Sequence, residues 1–97
     1  MVETVNIVAE TIEGDHDNVV FAGAHSDSVY EGPGMNDNGS GMISLLEIAK
    51  QLSNFKPNNA ISLAWWSAEE EGLVGSLWYA NNLTKEQASK IRLFLDF

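Results

Sequence analysis

Polar and apolar residues alternate along "ETVNIVAET", with Val5, Ile7 and Ala9 on one side. A period of two predicts a strand exposed on one face. "EGDHDN" reads as a turn, with Gly14 and Asp15 supplying residues that turns favour. "NVVFAGAH" is a continuous small-apolar run and predicts a strand buried on both faces, with His25 at its C-terminal end. The period then lengthens. A helix is predicted from about Gly39 to Leu52, with Ile43, Leu46, Ala49 and Leu52 on one stripe at three-residue steps. "NFKPNN" ends it, with Pro57 as the stop. "AISLAWW" predicts a second buried strand, with Trp65 at least partly covered, running into the acidic turn "SAEEEG". A helix from roughly Leu73 to Asn81 follows. Thr84 with Gln87 forms a capping box for a short helix over "KEQASKI", and "RLFLDF" is a last strand.

The predicted order is strand, strand, helix, strand, helix, helix, strand. Buried strands alternating with helices indicate an α/β chain, a three-layer sandwich with a mostly parallel (mixed) central sheet. In such sheets ligands sit outside the carboxyl ends of the strands. That edge gathers His25 and Asp27, Asp37 from the following loop, and Glu69 to Glu71 from the acidic turn.

Composition narrows the chemistry. The chain has 97 residues, enough for at most one small domain or part of a larger one. Five basic against fourteen acidic residues give a net charge of −9, which argues against nucleic acid or an anionic membrane surface as partner and suits cation binding. No apolar run approaches the ~20 residues that span a bilayer. "MVETVNIVAE" lacks the basic region and apolar core of a signal peptide. There is no cysteine, so thiol chemistry is excluded.

His25, Asp37 and Glu70 form a nitrogen and carboxylate set suited to Zn²⁺. Asp27, two residues beyond His25, can accept the other ring N–H and fix the tautomer. His-x-Asp alone is weak evidence, because a histidine at a strand end is more commonly a satisfied polar residue. His16 sits in a polar turn without a partner pattern and reads as a surface residue. The Glu69-Glu70-Glu71 run has a plain reading as a solvated turn. Its place after a buried, aromatic-ended strand and before Gly72 favours a constrained one. Adjacent glutamates there point in different directions, so one can bind metal while its neighbour handles a proton.

"EGPGMNDNGSGM", from Glu31 to Met42, is costly in backbone entropy yet abuts a strong helix. Asp37 at its centre can present both oxygens outward, and a bridging carboxylate holds two cations ~3.5–4 Å apart. A helix-capping Asx turn is the alternative reading of the same residue. A phosphate-binding loop is disfavoured, since no lysine follows the glycines.

Taken together, "GAHSDSVYEGPGMNDNGSG", "AWWSAEEEGLVGS" and "FLDF" resemble the co-catalytic di-zinc aminopeptidases, in particular the fungal aminopeptidase Y group. The similarity runs from about Val5 to Phe97. It implies a zinc-exopeptidase-like fold, truncated, with residues 1–97 forming part of the catalytic domain. It also implies two Zn²⁺ ions, with His25 a ligand of one, Glu70 a ligand of the other and Asp37 bridging both. Asp27 becomes the partner of His25. Glu69 becomes the general base, moving the proton of the metal-activated water to the leaving amine. The implied substrates are peptide or protein N-termini, often with large apolar residues. Asp96 and Phe97 match the first two positions of the family's last motif, whose metal-binding aspartate would be the next residue, and a further ligand histidine comes later in the family. The isolated chain is therefore expected to bind zinc weakly, to lack activity and to be marginally stable or self-associating. Two other readings keep the fold: a non-catalytic binding module, which retention of Glu69 argues against, and a zinc carboxypeptidase or glutaminyl cyclase. Asn82-Leu83-Thr84 fits an N-glycosylation acceptor, consistent with a secreted or vacuolar parent, whereas a glycan on Asn38 would block the metal site.

Overall fold

The computed structural model describes residues 2–97. Its elements follow the predicted order one for one: β1 (Ile7–Glu10), β2 (Asp15–His25), α1 (Gly41–Leu52), β3 (Asn59–Trp66), α2 (Val74–Asn82), α3 (Lys85–Lys90) and β4 (Ile91–Asp96). A wide helical turn, Met35–Ser40, leads into α1. The strands form one sheet in the order β1-β3-β2-β4. β2 runs parallel to both β3 and β4, while β1 is antiparallel to β3. The sheet is thus mixed, with its parallel part at the centre and one edge. Among the described residues no helix is long and apolar enough to cross a membrane.

Alternation along the two central strands sorts their side chains onto two faces. Ala22 and Ala24 of β2 and Leu63 of β3 turn towards α1, which plants the fully buried Leu45 among them. Phe21, Ala64 and Trp66 turn the other way and meet Tyr79 of α2 and Ile91. The rings of Phe21 and Trp66 stack at 5.9 Å, and Tyr79 lies 5.1 Å from Trp66. Gly23 keeps this second face closed: a Cβ there would fall 2.5 Å from the indole nitrogen of Trp66. Helix, sheet and helix make the three predicted layers. The capping box of α3 is also present, with Thr84 and Gln87 exchanging side-chain and backbone bonds at 2.9 and 3.1 Å.

Four expectations are corrected. β2 begins at Asp15, inside the predicted turn, and reaches its steady register with β3 only after an irregularity between Asp15 and Val20. His16 is exposed as expected, but it lies in a strand and has a partner, Glu10, whose carboxylate is 2.5 Å from Nδ1. β1 is exposed on both faces, because among the described residues its only strand neighbour is β3 and no helix covers it. α1 starts at Gly41 and buries Gly41 and Leu45, with Ala49 and Leu52 half-buried, while Ile43 and Leu46 remain 61% and 60% exposed. Each three-residue step falls about 60° short of a full helical turn, so a stripe drawn at such steps winds off the buried face. Trp65 is half-buried as expected, and its indole N–H donates to the Met42 carbonyl at 3.1 Å.

Candidate metal centre

The register of the parallel strands brings the chemistry to one edge. His25 is paired with Trp66, so β2 and β3 finish level and both following loops leave from the same place. His25 has only 12% of its side chain exposed. Its Nδ1 faces Asp27, 3.2 Å from Oδ1 and 3.1 Å from the backbone carbonyl. Its Nε2 faces Oδ1 of Asp37 at 3.0 Å and Oε2 of Glu69 at 3.7 Å. One ligand atom each from His25, Asp37 and Glu70 lies within 4.8 Å of the others. The three residues singled out in the sequence, drawn from three segments, thus converge on one point. Glu71 lies exposed outside this group.

Asp27 is the hub of the arrangement. Besides His25, it accepts the backbone N–H of Glu69 at 3.0 Å on Oδ1 and that of Glu70 at 3.1 Å on Oδ2. Burial raises its pKa, but these two backbone donors and the imidazole outweigh it, and the carboxyl titrates below its ordinary value. One carboxylate therefore fixes the imidazole and positions both glutamates.

The acidic turn carries a conformation that sequence did not reveal. Ala68 and Leu73, which flank it, both have positive φ, at 53° and 57°. Such backbone costs a non-glycine residue roughly 1 kcal/mol or more. The turn is closed by Leu73 N–H to Glu69 carbonyl at 2.8 Å and Val74 N–H to Ala68 carbonyl at 3.1 Å. Asn6 holds its two ends together, accepting from Ser67 N–H at 3.0 Å and donating to the Gly75 carbonyl at 2.9 Å. Gly75 is required at that approach, because a Cβ would sit 2.4 Å from the Ser67 carbonyl oxygen.

In the glycine-rich loop the roles of neighbouring residues divide. Asn38, not Asp37, accepts the Gly41 N–H at the start of α1, at 3.2 Å, and donates to the Phe97 carbonyl at 2.8 Å. The capping alternative for Asp37 is thereby assigned to its neighbour. Asp37 itself is 78% exposed with its carboxylate beside His25.

Electrostatically the site is short of positive charge. Burial lowers the His25 pKa, yet the contacts with Asp37, Glu69 and Asp27 prevail and raise it above 6.5. Glu70 is raised by partial desolvation first and then by the negative charges of Asp37 and Glu69. The imidazole meets carboxylate oxygens at both nitrogens but, when neutral, has one N–H to give. With the proton on Nδ1 donated to Asp27, Nε2 presents a lone pair to Asp37. A second proton or a cation must resolve that contact.

Comparison with known proteins identifies the family. The family model described as peptidase family M28 matches residues 6–97. The chain belongs to peptidase family M28. This M28 chain is 65% identical over 96 residues to aminopeptidase Y of Saccharomyces cerevisiae, covering 99% of itself and 18% of that protein. It is 57% identical over 94 residues to a probable leucine aminopeptidase 2 of Arthroderma benhamiae, covering 97% of itself and 19% of the relative. Among solved structures it superposes on a zinc aminopeptidase from Bacillus subtilis with a TM-score of 0.87 at 33% identity, over 94% of this chain and 23% of that one. The M28 chain thus spans about a fifth of the length of the relatives it matches.

Proposed function

We propose that the chain is the zinc-binding part of an aminopeptidase that removes N-terminal residues from peptides. The observation that carries this is the doubly acidic environment of His25, with Nδ1 occupied by Asp27 and Nε2 aimed at Asp37. The donor set fits zinc: one imidazole nitrogen and two carboxylates within 4.8 Å. His25 and Asp37 would hold one ion and Asp37 and Glu70 a second. Bound zinc supplies Lewis-acid polarisation of the scissile carbonyl and of the attacking water.

The remaining work falls to the chain's own groups. Asp27 keeps the proton on Nδ1 of His25, leaving Nε2 free to coordinate. Glu69 lies on the same opening, with Oε2 3.7 Å from Nε2, and serves as general base. It takes the water proton and delivers it to the departing amine. Its backbone bond to Asp27 fixes where its side chain begins. The names of the relatives support an N-terminal peptide substrate over a carboxypeptidase or cyclase reaction.

The test uses the 65% identity to the yeast enzyme. The corresponding segment of that enzyme is replaced by this chain, and the chimera is assayed on a leucine-linked chromogenic amide. Turnover should persist and be lost on chelation. Glu69→Gln should keep the metal but lose turnover by a factor of about 10² or more. Glu70→Gln should lower metal content. A Glu69→Gln chimera with full activity would remove Glu69 from the mechanism.

A further inference from the structure

The acidic turn leaves β3 between two neighbouring strands, β1 on one side and β2 on the other. From the β2 side, Ser26 donates its N–H and its hydroxyl to the Trp66 carbonyl at 2.8 and 3.0 Å, and Asp27 takes the N–H groups of Glu69 and Glu70. From the β1 side the grip comes from Asn6, with the Thr4 hydroxyl against that of Ser67. Asn6 stands one residue before Ile7, which lies opposite Trp65, so its amide reaches the end of β3. There Oδ1 accepts the Ser67 N–H at 3.0 Å and Nδ2 donates to the Gly75 carbonyl at 2.9 Å. The Gly75 N–H donates in turn to the Ser67 carbonyl at 2.9 Å. Entry and exit of the turn are thereby closed into one ring through a side-chain amide.

The amide suits this place because it offers one donor and one acceptor. An ionised carboxylate of the same size would set a second acceptor against the Gly75 carbonyl. Ser67 is buried, so without Asn6 its N–H has little recourse to water. Ala68 and Leu73, with their positive φ, lie just inside the ring. Such conformations persist where their surroundings over-determine them. With the amide removed, the turn is held at its crest by Asp27 and can pivot there.

The two glutamates would feel that pivot differently. Glu70, as a metal ligand, is tethered by the ion itself. Glu69 has no such tether. Its Oε2 approaches His25 Nε2 only to 3.7 Å, beyond hydrogen-bond distance, so its backbone sets where the carboxylate stands.

We propose that Asn6 is a positioning residue for proton transfer: by closing the turn it holds Glu69 at the opening beside His25, and it acts on the reaction through Glu69. The proposal rests on the reading of Glu69 as general base. A misplacement of about 1 Å in a reacting group costs on the order of 10²-fold in rate.

A double-variant cycle in the chimera with the yeast enzyme tests this, with metal content and circular dichroism recorded for each protein. Asn6→Ala should keep its zinc, hold KM within about twofold and lower kcat by about ten- to a hundredfold. Added to Glu69→Gln, it should lower the residual kcat by no more than about twofold, because the group it positions is already gone. Asn6→Asp keeps the size and the acceptor for Ser67 but not the donor, and should lose nearly as much turnover as Asn6→Ala. It runs the same cycle if Asn6→Ala fails to fold. Full activity of Glu69→Gln would overturn the base and this proposal together. With Glu69→Gln inactive, three results would overturn this proposal alone: wild-type kcat in the Asn6 variants, zinc lost in proportion to turnover, or Asn6 and Glu69 losses that multiply.

Discussion

Removing the Asp27 carboxylate should unfasten two loops at once. Asp27→Ala deletes the acceptor of the Glu69 and Glu70 backbone N–H groups, which are bonded at 3.0 and 3.1 Å. Hydrogen bonds to an ionised group contribute about 1.5–3 kcal/mol each, and the side chain is 25% exposed, so water can compensate in part. The lower end for both bonds gives about 3 kcal/mol. A small domain has only ~5–15 kcal/mol in total. With a urea slope near the ~1 kcal/mol/M expected for a short chain, the midpoint of metal-free unfolding should fall by roughly 2–3 M.

Asp27→Asn separates the anchoring role from the orienting one. With its oxygen in the place of Oδ1, the amide keeps the Glu69 and His25 contacts. Its NH₂ then opposes the Glu70 N–H, so it should cost about half as much as Asp27→Ala. Zinc affinity, measured by titration calorimetry, should drop about 10–100-fold in Asp27→Ala and less in Asp27→Asn. An Asp27→Ala chain with the wild-type urea midpoint would refute the anchoring role. Equal zinc affinity in all three would refute the orienting one.

Two other outcomes are expected. Gly23→Ala should destabilise the chain by about 1–3 kcal/mol in urea titration, because its Cβ would lie 2.5 Å from the Trp66 indole nitrogen and 3.0 Å from the Phe94 ring. The Glu10–His16 pair should give the metal-free chain a stability plateau in weak acid. His16 is raised above 6.5 by its bond to the Ile12 carbonyl and then by Glu10, so its contribution is present below that pH and lost as pH rises through the raised value. Glu10 is raised by burial but brought below 4.5 by Ser62 and His16, so its share is present above pH 4.5 and lost on acidification through the lowered value. Thermal midpoints of His16→Gln against wild type should therefore differ most between about pH 4.5 and 6.5 and converge as pH rises through the raised His16 value.

Element identity was legible in the chain because period and punctuation agreed: Pro57 after α1, Thr84 with Gln87 before α3, an apolar run for each central strand. Helix phase was not. Ile43 and Leu46 are as apolar as Leu45, and only the sheet beneath decides that Leu45 is the residue covered. Strand direction was half legible. Helices between strands imply parallel neighbours, but nothing in "NIVAE" shows that β1 joins β3 from the far side and in the opposite sense. Convergence of His25, Asp37 and Glu70 was legible as a topological consequence, each following the C-terminal end of a parallel strand or its loop. The supports were not. Asn38 looked like a flank of Asp37, and Asn6 like the polar half of an alternating strand. Ala68 and Leu73 have no local reason for positive φ. Their conformations answer to long-range partners, which a single sequence does not display.

The supports also explain why so anionic a site can be ordered at all. Three carboxylates, Asp37, Glu69 and Glu70, gather around one imidazole, and the pKa of Glu70 is raised by partial desolvation first and then by the charges of Asp37 and Glu69. Within that group only the His25 imidazole, 3.0 Å from Asp37 and 3.7 Å from Glu69, has a proton to offer the carboxylates. The rest of the cohesion comes from outside it. Asp27 binds the acidic turn through the backbone N–H groups of Glu69 and Glu70 rather than through their side chains. Asn38 binds the glycine-rich loop to α1 and to the end of β4 in the same manner. Backbone anchoring thus separates the positions of the carboxylates from their charges. The framework can persist while the charges stay uncompensated, and a cation entering the site finds its donors already placed. Affinity then depends on displacing a proton from His25 rather than on folding the loops, so zinc binding should be strongly pH-dependent while the backbone of both loops changes little.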